Sequence, residues 1–257
     1  MSTIVKHSTY LTGRSVRMLR REPIYAAFTL ASPLVWLLLF TQLFQRVVDV
    51  PGFGDIAYID YITPGIVIMT AMMNAGWAGT SFIDDMSRGV MDRNLTSPLS
   101  RTALIVGNLG YNVLITIVQS AVILGVAFLM GARPENAPGL LVLLVSAILV
   151  CLIFAAFSCT MALLLGTQES LIGIFQFVAM PLLFLSTVLI SRDLMPGWLA
   201  NVALFNPVDW GVVAGREALA TDPDWSVVLG RGALLIGLTV ILSWLATRAF
   251  RAYQRRA

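Results

Sequence analysis

The chain has 257 residues, of which 58% are hydrophobic and only 12% are charged. Soluble domains usually carry about 25% charged residues, so a soluble fold of this size would lack polar surface. The net charge of +3 does not indicate a nucleic-acid partner, because most basic residues flank hydrophobic blocks rather than share one face. The composition therefore predicts an all-α membrane protein.

Residues 1–23 precede the first long apolar stretch and are predicted to form an amphipathic interfacial helix on the inner leaflet. Apolar residues recur there every seven positions, at Ile4, Leu11 and Met18. Basic residues occupy the other faces of this helix: Lys6, Arg14, Arg17 and Arg20. A basic segment that only sets the membrane topology is the alternative interpretation.

Six later stretches are long enough to span a membrane, since a span needs about 20 apolar residues. They are residues 24–45, 61–83, 102–130, 139–165, 171–190 and 227–247. The sequence therefore predicts one transmembrane domain, residues 1–257, with six transmembrane helices. Of the 17 basic residues, 12 fall on the side that carries the two termini and 5 on the opposite side. Because basic residues concentrate in the cytoplasm, both termini are predicted to be cytoplasmic.

The connection at residues 84–101 reads DDMSRGVMDRNLTSPLSR and is predicted to be a cytoplasmic coupling segment. Its first half can form a helix broken by Gly89, and Ser97-Pro98 forces a turn before the third span. A short helix held between two spans can transmit a conformational change of a partner protein to those spans. An ordinary solvated loop of mixed charge is the alternative.

Residues 191–226 are external in this topology, yet they are too apolar for a free loop. Two helical pieces, near 197–204 and 208–219, are predicted to form a short re-entrant or interfacial pair before the last span. Within the second piece, Asp209, Arg216 and Glu217 are expected to pair with one another. The candidate outer gate consists of Pro196, Trp198, Asn206, Pro207, Arg216 and Glu217.

Two stripes of side chains recur every four residues along the predicted spans. The aromatic stripe Trp36, Phe40 and Phe44 in the first span would contact either an apolar substrate or lipid. The small residues Ala71, Ala75 and Gly79 in the second span permit close helix contact. The candidate substrate pathway consists of Trp36, Phe40, Asn74, Gly79 and Gln176.

The chain lacks the residues that energy coupling or catalysis would need. A P-loop requires a lysine after a glycine-rich turn, and the only lysine is Lys6. The predicted spans contain no Asp, Glu, Lys or His, so proton coupling is not expected, whereas sodium bound by carbonyl groups stays open. His7 is the only histidine, and no cluster of metal ligands occurs. We therefore expect no enzyme activity, no metal site and no cofactor bound by this chain.

Apart from Arg231 near the beginning of the last span, the polar residues inside the spans are neutral. Three asparagines among them distinguish a transport protein from a structural membrane protein. If Asn74, Asn108 and Asn112 face a cavity, a transport pathway is favoured. If the same side chains are bonded tightly between helices, a structural role is favoured.

Several short motifs follow one another in a fixed order. After the amphipathic segment, Gly89, Leu95, Ser97, Pro98 and Leu99 match a G-x5-L-x-S-P-L pattern. Before the last span come Pro196, Trp198, Leu199, Asn206, Pro207 and Arg216. In this order, and with six spans, the chain resembles the ABC-2 type permeases, the membrane subunits of ABC exporters. It most resembles the daunorubicin-resistance type, with the nodulation lipo-oligosaccharide exporters close by, and the likeness covers nearly the whole chain.

The resemblance implies that two permease subunits, identical or homologous, pair in the lipid membrane and bind two cytoplasmic ATPase subunits. ATP and Mg²⁺ would be held by those partners. The segment 84–101, the N-terminal helix and the turn 166–170 would contact the ATPase. The candidate coupling residues are Asp84, Asp85, Arg88, Gly89, Asp92, Arg93, Ser97, Pro98 and Glu169. The sequence departs from the family at Arg88-Gly89-Val90, where acidic residues often precede a Gly-Thr pair.

The expected function is therefore that of a permease subunit in an ATP-driven exporter located in the cytoplasmic membrane. Uncharged, apolar spans favour an amphipathic, lipid-like or drug-like cargo. One alternative is the export of a glycan or a lipid-linked saccharide. The other is a membrane assembly subunit without a pathway of its own.

Overall fold

The computed structural model describes residues 23–44, 57–87, 101–133 and 136–254. The predicted N-terminal interfacial helix and most of the predicted coupling segment lie outside these residues. Every regular element among the described residues is helical. This agrees with the all-α prediction.

The helices follow one another along the chain with short connections. They are α1 Pro23–Leu43, α2 Tyr58–Gly76, α3 Ala78–Ser87, α4 Arg101–Leu129, α5 Gly139–Leu165, α6 Gln168–Phe184, α7 Gly197–Ala203, α8 Pro207–Leu219 and α9 Trp225–Gln254. A single 3-10 turn, Arg192–Leu194, precedes α7.

Four helical stretches in the described part of the chain are long and apolar enough to cross a membrane. They are Tyr58–Asp84, which combines α2 with most of α3, and Gly107–Leu129, Gly139–Leu165 and Trp225–Phe250. The first and fifth predicted spans coincide with the shorter apolar stretches Thr29–Leu43 and Gln168–Phe184. All six predicted spans therefore contain a helix, and the number of crossings stays a prediction.

Two of the predicted spans are not continuous helices in the structure. The second span, predicted as one helix over 61–83, is interrupted at Trp77. The fifth span, predicted to run to residue 190, ends as a helix at Phe184, and an irregular segment follows. In both places side chains of neighbouring helices take over hydrogen bonds that a continuous helix would make itself.

Helix α5 lies at the centre of the bundle, where it contacts α2, α3, α4, α8 and α9. Its residues are apolar on every side, as expected for a helix that is enclosed by others. Cys151 and Cys159 are buried in it as free thiols. At the start of α5, a Cβ atom on Gly139 would lie 2.0 Å from the carbonyl oxygen of Ala218, so only glycine permits this contact with α8.

Helix α9 lies at the edge of the bundle and leaves a broad apolar face uncovered. Large side chains on this face are exposed, among them Leu229, Leu234, Ile236, Val240, Ile241 and Trp244. A helix of this composition with so little of its surface packed inside the chain is suited to contact lipid.

Candidate functional site

The predicted coupling segment begins at one end of the bundle, where it meets the start of α6. Gln168 Nε2 donates a hydrogen bond of 2.5 Å to Asp84 Oδ1, which lies in the last part of α3. The neighbouring Glu169 is exposed. The structure therefore places Asp84, the first residue of the predicted coupling segment, beside the 166–170 turn, which was also predicted to contact an ATPase.

The structure describes few of the other predicted coupling residues. Asp85 belongs to α3. The residues Arg88, Gly89, Asp92, Arg93, Ser97 and Pro98 lie outside the described residues. Helix α3 is also in contact with the end of α9, because the ring of Phe82 packs edge-on against that of Phe250 at 6.4 Å between centroids.

The interruption between α2 and α3 is stabilised by Ser158 of α5. At Trp77 the backbone leaves the regular helical pattern, and the amide of Thr80 donates to the carbonyl of Trp77 instead of that of Gly76. Ser158 Oγ donates to the Gly76 carbonyl at 2.7 Å and accepts from the Gly79 amide at 3.0 Å. One hydroxyl group thus replaces hydrogen bonds on both sides of the break, as buried backbone groups require.

The three asparagines lie beside this break, and the side chains of Asn74 and Asn108 bond to another helix. Asn108 Nδ2 of α4 donates to the Ala78 carbonyl at 2.9 Å and to Ser81 Oγ at 2.8 Å. Asn112 Nδ2 donates to Asn108 Oδ1 at 3.0 Å. Asn74 Nδ2 donates to the Asn112 carbonyl at 3.4 Å. By the criterion set from the sequence, Asn108 favours a structural role. The bond from Asn74 is long, and Asn112 bonds within its own helix, so these two side chains do not meet the criterion.

At the opposite end of the bundle, an irregular segment follows α6 and depends on side chains from two other helices. Asn206 Nδ2 donates to the carbonyls of Leu182 and Leu185 at 2.6 and 2.8 Å. Farther along, Tyr61 Oη donates to the Thr187 carbonyl at 3.1 Å. Non-helical backbone at membrane depth is tolerated where protein covers it. These donors provide that cover, so α6 can end at Phe184.

Asn206 has a second role at the same place. Its Oδ1 accepts a hydrogen bond from the Val208 amide at 2.9 Å, which makes it the N-cap of α8, with Pro207 at the first helical position. The predicted division of this region into two helical pieces at Asn206-Pro207 is confirmed by α7 and α8. The same side chain therefore joins the end of α6 to the start of α8.

A charged cluster fixes the irregular segment from the other side. Asp209 is fully buried, and its Oδ1 accepts from the amide and the hydroxyl of Thr187 at 2.9 and 2.6 Å. Its Oδ2 forms an ion pair of 2.6 Å with Arg192. Thr187 thus binds Asp209 through two donors and is held in one orientation.

The predicted pairing among Asp209, Arg216 and Glu217 is wrong. Arg216 Nη2 donates to the carbonyls of Tyr61 and Thr187 at 3.0 and 3.1 Å, and Asp209 pairs with Arg192. Glu217 Oε1 accepts from the amide of Asp224 at 3.2 Å. The prediction considered only residues on one helix, whereas the partners come from α2 and from the irregular segment.

Arg216 is the residue at which these contacts converge. Its guanidinium carbon lies 3.6 Å from the centre of the Tyr61 ring, a cation–π geometry. Burial lowers the pKa of Arg216, while Tyr61 and Asp209 act in the opposite direction. An arginine keeps its charge under such conditions. A positive charge is therefore held between α2, α8 and the irregular segment.

The other predicted gate residues lie nearer the surface. Pro196 and Trp198 are exposed, at the beginning of α7. Of the six predicted gate residues, Asn206 and Arg216 thus make the contacts that hold this end of the bundle together. Tyr61, Thr187 and Arg192 were not predicted, because nothing in their local sequence indicates which carbonyl or carboxylate they meet.

The predicted pathway residues do not form one group. Trp36, Phe40 and Phe44 stack along α1 with centroid distances of 5.3 and 5.8 Å, and Phe44 continues to Tyr58 of α2 at 5.8 Å. Gly79 is buried against Ser158, and Gln176 is exposed on α6. The aromatic stripe is therefore a continuous ladder, whereas Gly79 lies at a packing contact.

No set of three or more His, Cys, Asp or Glu residues in the described part of the chain is arranged to hold a metal ion.

Comparisons with known proteins match most of the chain. A family model described as ABC-2 type transporter matches residues 8–220. The daunorubicin resistance ABC transporter permease protein DrrB1 of Streptomyces coeruleorubidus is 29% identical over 245 residues, which are 93% of this chain and 83% of that protein. The ycf38 proteins of Cyanophora paradoxa and Pyropia yezoensis, proposed transport permeases, are 29% and 27% identical. Those matches cover 79% and 83% of this chain, and 70% and 74% of the relatives.

Proposed function

The chain belongs to the ABC-2 type transporter family, and we propose that it is the permease subunit of an ATP-driven exporter. Two such subunits, identical or homologous, would pair in the cytoplasmic membrane with six spans each and both termini in the cytoplasm. Two cytoplasmic ATPase subunits would bind ATP and Mg²⁺ and drive the permease.

The observation that best supports this proposal is the bond between Gln168 and Asp84. It joins the beginning of the 84–101 segment to the turn after α5, at the end of the bundle where α9 also finishes beside Phe82. Asp84 and the polar turn at 166–170 would offer a partner a surface that continues directly into α3 and α6. The sequence of the 84–101 segment is rich in arginine, which is consistent with a cytoplasmic location.

The cargo that we propose is amphipathic, lipid-like or drug-like. The spans carry few charged side chains, and the ladder of Trp36, Phe40 and Phe44 leaves Trp36 half exposed on the surface of the bundle. An apolar molecule in the membrane could contact such a surface without losing hydration. The name of the Streptomyces relative refers to resistance to daunorubicin, a drug of this general kind. Export of a glycan is the alternative that the same aromatic ladder would serve.

A non-transporting assembly subunit is the second candidate. It is favoured by Asn74 and Asn108, whose side chains bond to a neighbouring helix. An assembly subunit would be needed for a partner to reach the membrane, but it would not change the rate at which any cargo crosses.

The first experiment isolates the chain from its native membranes in mild detergent and identifies the co-purified proteins by mass spectrometry. We expect an ATPase at a one-to-one ratio, weakened in the double variant Asp84→Ala and Glu169→Ala. The matched control is Asp193→Ala, an exposed acidic residue at the opposite end of the bundle. Absence of an ATPase after cross-linking would contradict the ATP-driven proposal.

A second experiment addresses direction and cargo. Inside-out vesicles that contain the complex are given ATP and daunorubicin as a fluorescent probe. ATP-dependent accumulation of the probe supports export of a drug-like cargo. ATP hydrolysis without accumulation of daunorubicin, or of a fluorescent phospholipid, would favour the glycan alternative or the assembly subunit.

A further inference from the structure

The break at Trp77 differs from an ordinary helix kink because no proline lies at it. Kinks without proline arise at glycines or where a side chain enters the helical hydrogen-bond ladder. Both conditions are met here, since Gly76 and Gly79 flank Trp77 and the hydroxyl of Ser158 bonds to both sides. The helix is therefore divided at a defined point by a residue of another helix.

The two glycines are also sites of close approach. A Cβ atom on Gly76 would lie 2.6 Å from the ring of Phe175 in α6. A Cβ atom on Gly79 would lie 2.5 Å from the carbonyl oxygen of Ser158 in α5. Contacts this short are not accommodated without a shift of the neighbour. The residues at the break thus pack closely against α5 and α6, and the position of the break depends on this packing as well as on hydrogen bonds.

Beyond the break, α3 is a short rigid piece held at both ends. It has 10 residues, which gives a length of about 15 Å at 1.5 Å per residue. Near the break, Asn108 braces it through the Ala78 carbonyl. At the far end, Asp84 bonds to Gln168, and Phe82 packs against Phe250. Displacement of the far end would therefore move α6 and α9 as well as the break.

We propose that α3 is a lever hinged at Trp77 and that Ser158 is the positioning residue that serves as its pivot. The inference rests on the proposed function, because an ATPase bound at 84–101 supplies the push. Ser158 keeps the ends of α2 and α3 joined through one hydroxyl, so that tilting of α3 is transmitted to α2 instead of unwinding the break. The Ser158 side chain is fully buried and is shielded from competing water.

The test compares Ser158→Ala with Thr160→Val in the complex, embedded in lipid nanodiscs. Thr160 is a matched control because it lies on the same helix and its hydroxyl bonds only to the Ala156 carbonyl of its own helix. Hydrogen–deuterium exchange is followed at the amides of Gly79 and Thr80. Since Ser158→Ala leaves the Gly79 amide and the Gly76 carbonyl unpaired, we expect roughly tenfold faster exchange there. Thr160→Val should leave this exchange unchanged.

The second measurement tests whether a movement of α3 is transmitted across the break to α2. Exchange in α2 and α3 is compared before and after the complex is trapped with ATP and vanadate. In the wild-type protein and in Thr160→Val, we expect both helices to respond. In Ser158→Ala, we expect α3 to respond and α2 to respond much less. If Ser158 had only a structural role, Ser158→Ala would weaken the responses of α2 and α3 equally, and that result would overturn the proposal. An unchanged exchange rate at the Gly79 amide in Ser158→Ala would also overturn it.

Two further results distinguish a failure of the pivot role of Ser158 from a failure of the proposed function. If Ser158→Ala does not yield folded protein by circular dichroism, Asn108→Ala removes the other brace of α3 while Ser158 stays in place. That variant should speed exchange at Gly79 and preserve the response of α2, and loss of the α2 response would overturn the pivot role. If no ATPase co-purifies with the wild-type chain, the proposed function and the lever both fail, whereas exchange at Gly79 still reports whether Ser158 bridges the break.

Discussion

Arg216 and Tyr61 are 155 positions apart in the chain and are joined twice. The guanidinium lies 3.6 Å from the centre of the Tyr61 ring, and Nη2 donates to the Tyr61 carbonyl at 3.0 Å. The same nitrogen donates to the Thr187 carbonyl at 3.1 Å. One side chain of α8 thus fixes the start of α2 and the segment after α6, and the predictions for this end of the bundle depend on it.

Replacing Arg216 by lysine should destabilise the protein although the charge is kept. Lysine lacks the planar group that stacks on an aromatic ring, and its ammonium group is more strongly hydrated than a guanidinium, so burying it costs more. We expect a loss of about 2 kcal/mol in the free energy of unfolding. Denaturant titration of the protein in nanodiscs measures it. The control is Arg231→Lys, whose side chain makes one long bond of 3.4 Å to the Leu204 carbonyl. Equal losses in the two variants would contradict a special role for Arg216.

Asp209→Asn should weaken the attachment of the irregular segment to α8. The buried carboxylate accepts three hydrogen bonds, one of them from Arg192, which an amide group would meet poorly. Removing one partner of a buried ion pair costs about 3–5 kcal/mol. Because a third of the Arg192 side chain is exposed and can reach water, we expect a smaller loss of about 2–3 kcal/mol.

The measurement for Asp209→Asn is the thermal unfolding midpoint, compared with that of Asp193→Asn. Asp193 is an exposed acidic residue in the same region, so its substitution removes the same charge without a buried partner. A similar decrease in both variants would show that net charge, and not the buried contact, is responsible.

Substitutions of Asn206 should separate its two roles. Asn206→Asp keeps the oxygen that caps α8 but loses the donor to the carbonyls of Leu182 and Leu185. Asn206→Ala loses both. The loss of an N-cap costs about 1 kcal/mol, and buried carbonyls without a donor cost a further 1–3 kcal/mol or so. Asn206→Asp in addition sets a buried carboxylate oxygen against the two carbonyl oxygens. We expect both variants to be less stable than the wild-type protein in denaturant titration, and wild-type stability of either one would contradict the contact with the two carbonyls.

Gly79→Ala decides whether this position serves packing or the cargo pathway. A Cβ atom there would lie 2.5 Å from the Ser158 carbonyl oxygen, and overpacking of this kind costs about 1–3 kcal/mol. The control is Gly173→Ala on α6, where nothing lies within 4 Å of the added atom. Alanine favours helix there by roughly 0.5–1 kcal/mol. If Gly79→Ala left stability unchanged and altered only transport, the packing interpretation would be wrong.

Acidification should loosen the start of α9 through Asp224. Its carboxylate accepts from the hydroxyl and the amide of Ser226, and these bonds hold the pKa of Asp224 below its ordinary value. A group with a lowered pKa stabilises the folded state above its unfolded pKa, and this contribution is lost as the pH falls through the folded value. Exchange of the Ser226 amide, corrected for intrinsic rates, should therefore accelerate at low pH in the wild-type protein. Asp224→Asn should remove this pH dependence, and a wild-type profile in that variant would contradict the assignment.

The sequence by itself determined the class of the protein and the positions of most helices. Apolar stretches of about 20 residues can satisfy their backbone groups in a membrane only as helices, so composition and length were sufficient. The division at Asn206-Pro207 followed from local chemistry too, since Asn favours the N-cap and Pro the first helical position. The order of short motifs was enough to indicate the family, which the match over residues 8–220 then established.

Only the tertiary structure decided where two of the predicted spans are interrupted. Gly76 and Gly79 permit a break at Trp77, but the local sequence does not by itself fix a break there or at Leu185. Each break exists because a side chain from another helix, Ser158 or Asn206, supplies the hydrogen bond that the helix gives up. For the same reason Asp209 pairs with Arg192 and not with its helical neighbour Arg216. Hydrogen bonds act over about 3 Å in space, whereas the sequence records only separation along the chain.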